Sequence, residues 1–148
     1  LEPFLGSTRK RVHKAPKFFF FDIGVSRALA HQLHAPPIAS TSYYGDLFEQ
    51  FIVLEMLRQE SYLRKGYRFY YLSDERGEVD LVIERPGQPH ALVEIKSTTE
   101  IRPDKLRSLA SMGHSLERCE MFCLSRDPRP QRMGSIQALP WQQGLSEI

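Results

Sequence analysis

Three side chains could form one catalytic centre: Asp80 in the segment Gly77–Glu84, and Glu94 and Lys96 in the segment Ala91–Lys96. Both segments alternate charged with aliphatic residues. The turn cluster Arg85-Pro86-Gly87-Gln88-Pro89 joins them, so they read as two arms of an antiparallel hairpin. A turn centred on Gly87 sets Glu84 opposite His90, Asp80 opposite Glu94 and Glu78 opposite Lys96. Directly opposed residues hold their Cβ atoms about 4.5–5.5 Å apart, and two carboxylates so placed repel unless one is protonated or a cation lies between them. Hard oxygen donors suit Mg²⁺ or Mn²⁺. Such an ion, held by Asp80 and Glu94, would activate water and polarise a phosphodiester. The Lys96 ammonium would offset charge on the attacking hydroxide or on the transition state. A one-residue slip would turn Glu94 to the opposite face. The stated register is favoured because it puts Val79, Leu81, Ile83, Val93 and Ile95 together on one apolar face. Acids and lysines alternating with aliphatics are also what any half-exposed strand shows.

The elements that must position these groups are legible in outline. Apolar residues at Tyr44, Leu47, Phe48, Phe51, Leu54 and Met56 or Leu57 recur at helical spacing, with Ser42 or Thr41 as cap and Gly66 as the terminating glycine. Glu49 shares the stripe of Ile52, Val53 and Met56, so a third carboxylate leans from this helix toward the sheet, as a ligand or as a snorkelling acid at the stripe's edge. Glu78 would pair with Lys96 or act as an outer ligand, and Glu84 would end its strand in solvent. Before the helix, Phe18–Asp22 reads as a buried strand and Ser26–Leu33 as a short helix capped by Ser26 and stopped by Pro36-Pro37. After it come the strand Tyr67–Leu72, the hairpin, a helix opened by Pro103 and closed by Gly113, a buried strand Cys119–Leu124, a basic loop Arg126–Arg132 and a short strand Ser135–Leu139, with Trp141 anchoring the tail. The order helix, three-strand meander, helix, strand predicts an α/β fold with a mixed central sheet flanked by helices.

Composition narrows the function classes. The 148 residues suit one hydrophobic core. No apolar run is long enough to cross a membrane, Phe18–Phe21 being the longest, and no signal peptide is visible. The chain opens on Leu1 rather than Met, which is expected of a piece of a longer protein. Net charge is only +2, but Arg9, Lys10, Arg11, Lys14 and Lys17 cluster without an intervening acid. Such a run contacts phosphates or forms a solvated basic arm. Cys119 and Cys123, with His114 near them, match no common zinc spacing and read as buried thiols of a reducing cytoplasm.

Gly77-Glu78-Val79-Asp80 through Glu84, followed by Val93-Glu94-Ile95-Lys96-Ser97, resembles the PD-(D/E)XK nuclease superfamily, with Val79 where a proline names the motif. More narrowly, Lys17-Phe18-Phe19-Phe20-Phe21-Asp22-Ile23-Gly24, Gly45-Asp46-Leu47-Phe48-Glu49, Glu78-Val79-Asp80, Glu94-Ile95-Lys96-Ser97 and the closing Ile136–Pro140 resemble, in order, the DUF4143 domain, usually the C-terminal part of bacterial and archaeal AAA+ ATPases. The resemblance implies a restriction-endonuclease-like core over residues 18–148, preceded by a linker or the tail of an upstream segment over residues 1–17. It implies Asp80 and Glu94 as Mg²⁺ or Mn²⁺ ligands, Lys96 as the catalytic lysine and Glu49 as the helical acid. No Walker A loop occurs in the chain, so an ATPase portion would lie elsewhere in a parent protein.

Three readings follow. The first is a metal-dependent nuclease, with DNA ahead of RNA as substrate. The second is a non-catalytic module that binds nucleic acid, or a partner for an ATPase, through the basic arm and the Arg126–Arg132 loop. The third is a docking domain with an exposed Phe18–Phe21 segment. The sequence leaves oligomeric state open.

Overall fold

The structure, a computed structural model, describes residues 1–4 and 15–148. Arg9, Lys10, Arg11 and Lys14 of the basic run lie outside the described residues.

The longest element is the helix Ser42–Leu63 (α2; the short helix before it is α1). Thr41 starts it by accepting the Tyr44 N–H at its hydroxyl, 3.2 Å away. Phe48, Ile52, Val53 and Met56 form its buried stripe. The helix ends at Arg64 rather than at the expected Gly66. Arg64 adopts the left-handed conformation (φ 52°) and donates its N–H to the Glu60 carbonyl. The Glu60 side chain then accepts the Gly66 N–H at 2.9 Å, so the chain reversal is shared between two residues.

Among the described residues seven strands form one mixed sheet: β1 (Glu2–Pro3), β2 (Arg68–Asp74), β3 (Gly77–Glu84), β4 (His90–Lys96), β5 (Cys119–Ser125), β6 (Gln131–Met133) and β7 (Ile136–Pro140), in the order β1-β2-β3-β4-β5-β7-β6. Strands β2, β3 and β4 are the expected antiparallel meander. A 3-10 turn at Pro103–Leu106 and the helix α3 (Arg107–Gly113) carry the chain across to β5, which pairs parallel with β4 and with β7. The crossover is what a parallel pair requires. The sheet is covered on both faces. On one, α2 and a closing helix α4 (Trp141–Glu147) pack on Leu81, Ile83, Val93, Ile95, Phe122 and Leu124. On the other, Leu106, Leu109 and Met112 pack on Val79, Val82, Leu92, Met121 and Cys123. Burial on both sides explains why the centres of β3 (Leu81–Ile83) and β4 (Ala91–Val93) are unbroken aliphatic runs.

Two sequence expectations change here. Phe18–Asp22 is not a strand: Phe18 is 85% and Phe21 71% exposed, and only Phe19 packs on the core. Asp22 instead caps α1 (Ile23–Leu29) by accepting the Val25 N–H at 3.0 Å, so the helix begins three residues before the predicted Ser26. A capping carboxylate three residues ahead of a free N–H outweighs the strand preference of the phenylalanines. Second, Val79 does not share a face with Leu81 and Ile83. Tyr70 pairs with Val82 but Leu72 pairs with Val79, so Asp80 and Leu81 together oppose Tyr71. This β-bulge shifts the alternation by one, sending Val79 to the α3 side with Val82. Two further elements, β6 and α4, carry no clear periodic signal in sequence.

Candidate functional site

The β3–β4 register is Leu81 with Val93, Val82 with Leu92 and Ile83 with Ala91, as a turn centred on Gly87 requires. The paired residues end there, one position before the expected pairing of Asp80 with Glu94. The bulge turns Asp80 out of the regular pleat, and its Oδ2 accepts the backbone N–H of Ile95 at 2.7 Å. The carboxylate therefore lies in the seam between the strands and takes the place of a ladder acceptor. Asp80 and Glu94 are both buried, 8% and 6% exposed.

The Lys96 ammonium pairs with Glu94 Oε1, while Glu94 Oε2 is buried and has no hydrogen-bond partner. Glu49, half-buried on α2, receives Lys17 Nζ at 3.2 Å, and the same ammonium reaches Glu78 at 2.5 Å. From sequence Lys17 was part of a basic run and the first residue of one family-like segment, with no role beside the acids. It is held by its backbone N–H on the Leu1 carbonyl (2.9 Å), and its ammonium lies over the Tyr71 ring. Tyr71 in turn donates its hydroxyl to the Ala15 carbonyl at 2.7 Å. The expected pairing of Glu78 with Lys96 is thus replaced: Lys17 takes Glu78, and Lys96 takes Glu94, two residues back on its own strand. No sequence signal could have found Lys17, because only the fold brings it to Glu49 and Glu78. Glu84, expected in solvent, is half-buried and accepts from the Tyr70 hydroxyl at 3.4 Å.

The electrostatics reflect four carboxylates against two ammoniums in a partly dehydrated seam. Burial raises the Asp80 pKa to about 8, helped by the fields of Glu94 and Glu49 and opposed by the Ile95 N–H and Lys96. Burial also lifts Glu94 above the usual carboxylate range, against the pull of Lys96 and with the push of Glu49 and Glu78. Burial works downward on Lys96 and Lys17, but the neighbouring carboxylates outweigh it and leave both above the ordinary lysine value. The centre is therefore short of positive charge, the condition a divalent ion would relieve.

The donor set fits such an ion in kind: all its free donors are carboxylate oxygens, and one of them, Glu94 Oε2, is buried without a partner. In arrangement, however, no three His, Cys, Asp or Glu side chains among the described residues are grouped so as to hold a metal. That covers the thiols as well. Cys119 donates to the Gly113 carbonyl at 3.1 Å, and burial, with Glu94 and Asp80 against Lys96, pushes the Cys123 thiol up to about 12. Both remain protonated at neutral pH.

The basic loop is largely tied down. Buried Asp127 accepts from the Arg129 backbone and guanidinium and from the Gln131 amide (2.8 Å), and Arg126 lies 5.2 Å over the Tyr44 ring. Its end, from Gln131, is strand β6. Among the described residues no helix is long and apolar enough to cross a membrane.

A family model described as a domain of unknown function, DUF4143, matches residues 44–143. The chain belongs to the DUF4143 family. No curated protein matches it, and no solved structure does. The matched span of this DUF4143 domain contains Glu49, Glu78, Asp80, Glu94 and Lys96, whereas Lys17 and α1 precede it.

Proposed function

We propose that this DUF4143 domain is a divalent-metal-dependent nuclease with a PD-(D/E)XK-type centre and a restriction-endonuclease-like core. It hydrolyses phosphodiester bonds of DNA ahead of RNA, in the cytoplasm of a bacterial or archaeal cell, as the C-terminal part of an AAA+ ATPase. One observation carries the reading: a buried, partnerless carboxylate oxygen on Glu94 lies beside a second buried acid, Asp80, whose proton is held to about pH 8. A buried carboxylate oxygen without a partner is costly, and perturbed acids gathered next to a strand bulge point to a functional site. Asp80 and Glu94, with Glu49 behind them, would hold Mg²⁺ or Mn²⁺, which would supply an activated water and a Lewis acid. Lys96 stands beside Glu94 as the cation for the developing phosphorane charge. Lys17 fixes Glu49 and Glu78.

Supercoiled plasmid incubated with the protein and Mg²⁺ or Mn²⁺ tests it. Nicking is expected from wild type and a loss of about 10²-fold or more from Lys96→Ala, the scale of removing one electrostatic contact to the transition state. Intact plasmid with wild type across both metals, and with single-stranded and RNA substrates, refutes the nuclease reading.

A second reading has its own support. Among the described residues no three metal-binding side chains are assembled, and Lys17 already bridges Glu49 and Glu78. Both favour a non-catalytic module whose acids are neutralised by lysines. It would bind nucleic acid or an ATPase partner without cleavage. Calorimetric titration with Mg²⁺ separates the two: heat from wild type that Asp80→Ala abolishes supports the metal centre, and no heat from either supports the module.

A further inference from the structure

Beside the acidic seam lies a cleft of about 340 Å³ that the proposed chemistry does not use. Its walls are aromatic: Tyr44, Phe48 and Phe51 from α2, and Trp141 from α4, whose ring meets Phe51 edge-on at 5.2 Å. Its charges are Arg27 of α1 and Arg126 after β5, and none of its lining residues is acidic. Arg27 is spent locally, its guanidinium donating to the Gln32 and Ala35 carbonyls. Arg126 is placed differently. Its backbone N–H bonds the Thr98 carbonyl at 3.0 Å, its guanidinium reaches the Ser97 carbonyl at 3.5 Å, and its plane covers Tyr44. Ser97 directly follows Lys96. Gly45, next to Tyr44, approaches Ser97 so closely that an added Cβ would lie 3.7 Å from its hydroxyl. Through Arg126 the cleft therefore borders the residue that follows β4, the strand carrying Glu94 and Lys96.

We infer that this cleft receives an unpaired base of a single-stranded nucleic acid, with Arg126 holding the adjoining phosphate. The inference rests on the nuclease reading only for the strand's direction of approach. Aromatic walls stack any base, and an arginine in a lining that holds no acid complements the backbone. A duplex cannot fill the cleft without first unstacking a base, which costs a few kcal/mol. The substrate class is therefore single strands, frayed ends or flipped bases, of DNA or of RNA.

Trp141 is the only tryptophan in the chain, so its fluorescence reports on this cleft directly. The titration is run in chelator, where no cleavage occurs, with a short oligo(dT), its RNA counterpart, an abasic strand of equal length and a blunt duplex. Saturable quenching by oligo(dT), by the RNA counterpart or by both is expected, with weak or no quenching by the abasic strand and the duplex. The first two arms say which sugar is taken. Tyr44→Ala weakens binding about tenfold or more, the range for loss of one base–aromatic stack. Arg126→Gln, a half-exposed position, lowers the slope of log K against log salt by about 0.7, one phosphate contact on a single strand. Equal quenching by the abasic strand, or none by any strand, overturns the inference. A protein that nicks plasmid without quenching loses the cleft alone, and one that quenches without nicking loses the nuclease reading alone.

Discussion

Replacing Asp80 by Asn should stabilise the metal-free protein at alkaline pH and leave it unchanged in acid. The native carboxyl holds its proton to about pH 8, against an ordinary value of 3.8. Between those limits the folded state binds a proton that the unfolded state has released, so stability declines as pH rises through the window. Below about pH 4 both states are protonated and the penalty is absent; above about pH 8 it is fully present. Each unit of elevation is worth about 1.4 kcal/mol, so the four-unit window amounts to ~6 kcal/mol, an appreciable share of the roughly 5–15 kcal/mol that typically holds a domain together. Asparagine cannot ionise, and its carbonyl oxygen can still accept the Ile95 N–H. The measurement is urea unfolding in chelator, wild type against Asp80→Asn, at several pH values from 5 to 8. The variant should gain on wild type by several kcal/mol across that range. Adding Mg²⁺ at pH 8 should then stabilise wild type, by about 2.7 kcal/mol at a hundred times the dissociation constant, and not the variant. Parallel pH curves for the two proteins would refute the reasoning, because they would mean that Asp80 ionises as freely folded as unfolded.

Two further outcomes follow from the packing. Phe19→Asp should lower stability by about 1–3 kcal/mol, since Phe19 packs on the core and a buried unpaired charge is costly. Phe18→Asp, 85% exposed, should stay within about 0.5 kcal/mol; thermal melts of the two variants check both. Gly144→Ala should destabilise although alanine favours a helix by about 1 kcal/mol. The added Cβ would fall 2.0 Å from Cδ2 of the fully buried Leu124, and overpacking of this kind costs about 1–3 kcal/mol. A melting temperature equal to or above that of wild type would contradict it.

The sequence alone determined the elements whose signals are local. The stripe of α2, the meander with the β3–β4 register over Leu81–Ile83, and the crossover to β5 follow from periods of 3.6 and 2 and from Gly87 and Pro103. These depend on neighbours a few residues apart. The same local logic brought Asp80 and Glu94 to adjacent strands. It failed where two local preferences compete: the four phenylalanines favour a strand, but the Asp22 cap sets a helix start, and all of them but Phe19 are left outside.

Only the tertiary structure decided the charge pairing. A bulge of one residue against Tyr71 moved Val79 to the α3 face and put the Asp80 carboxylate on the Ile95 N–H, and nothing in an alternating strand announces which residue is the extra one. Lys17 joined Glu49 and Glu78 across more than thirty positions of sequence. The aromatic cleft drew walls from α1, α2 and α4. Residue types fix what chemistry is available, but ion pairs and clefts depend on distances between segments remote in the chain. Those distances are set by how both faces of the sheet pack at once.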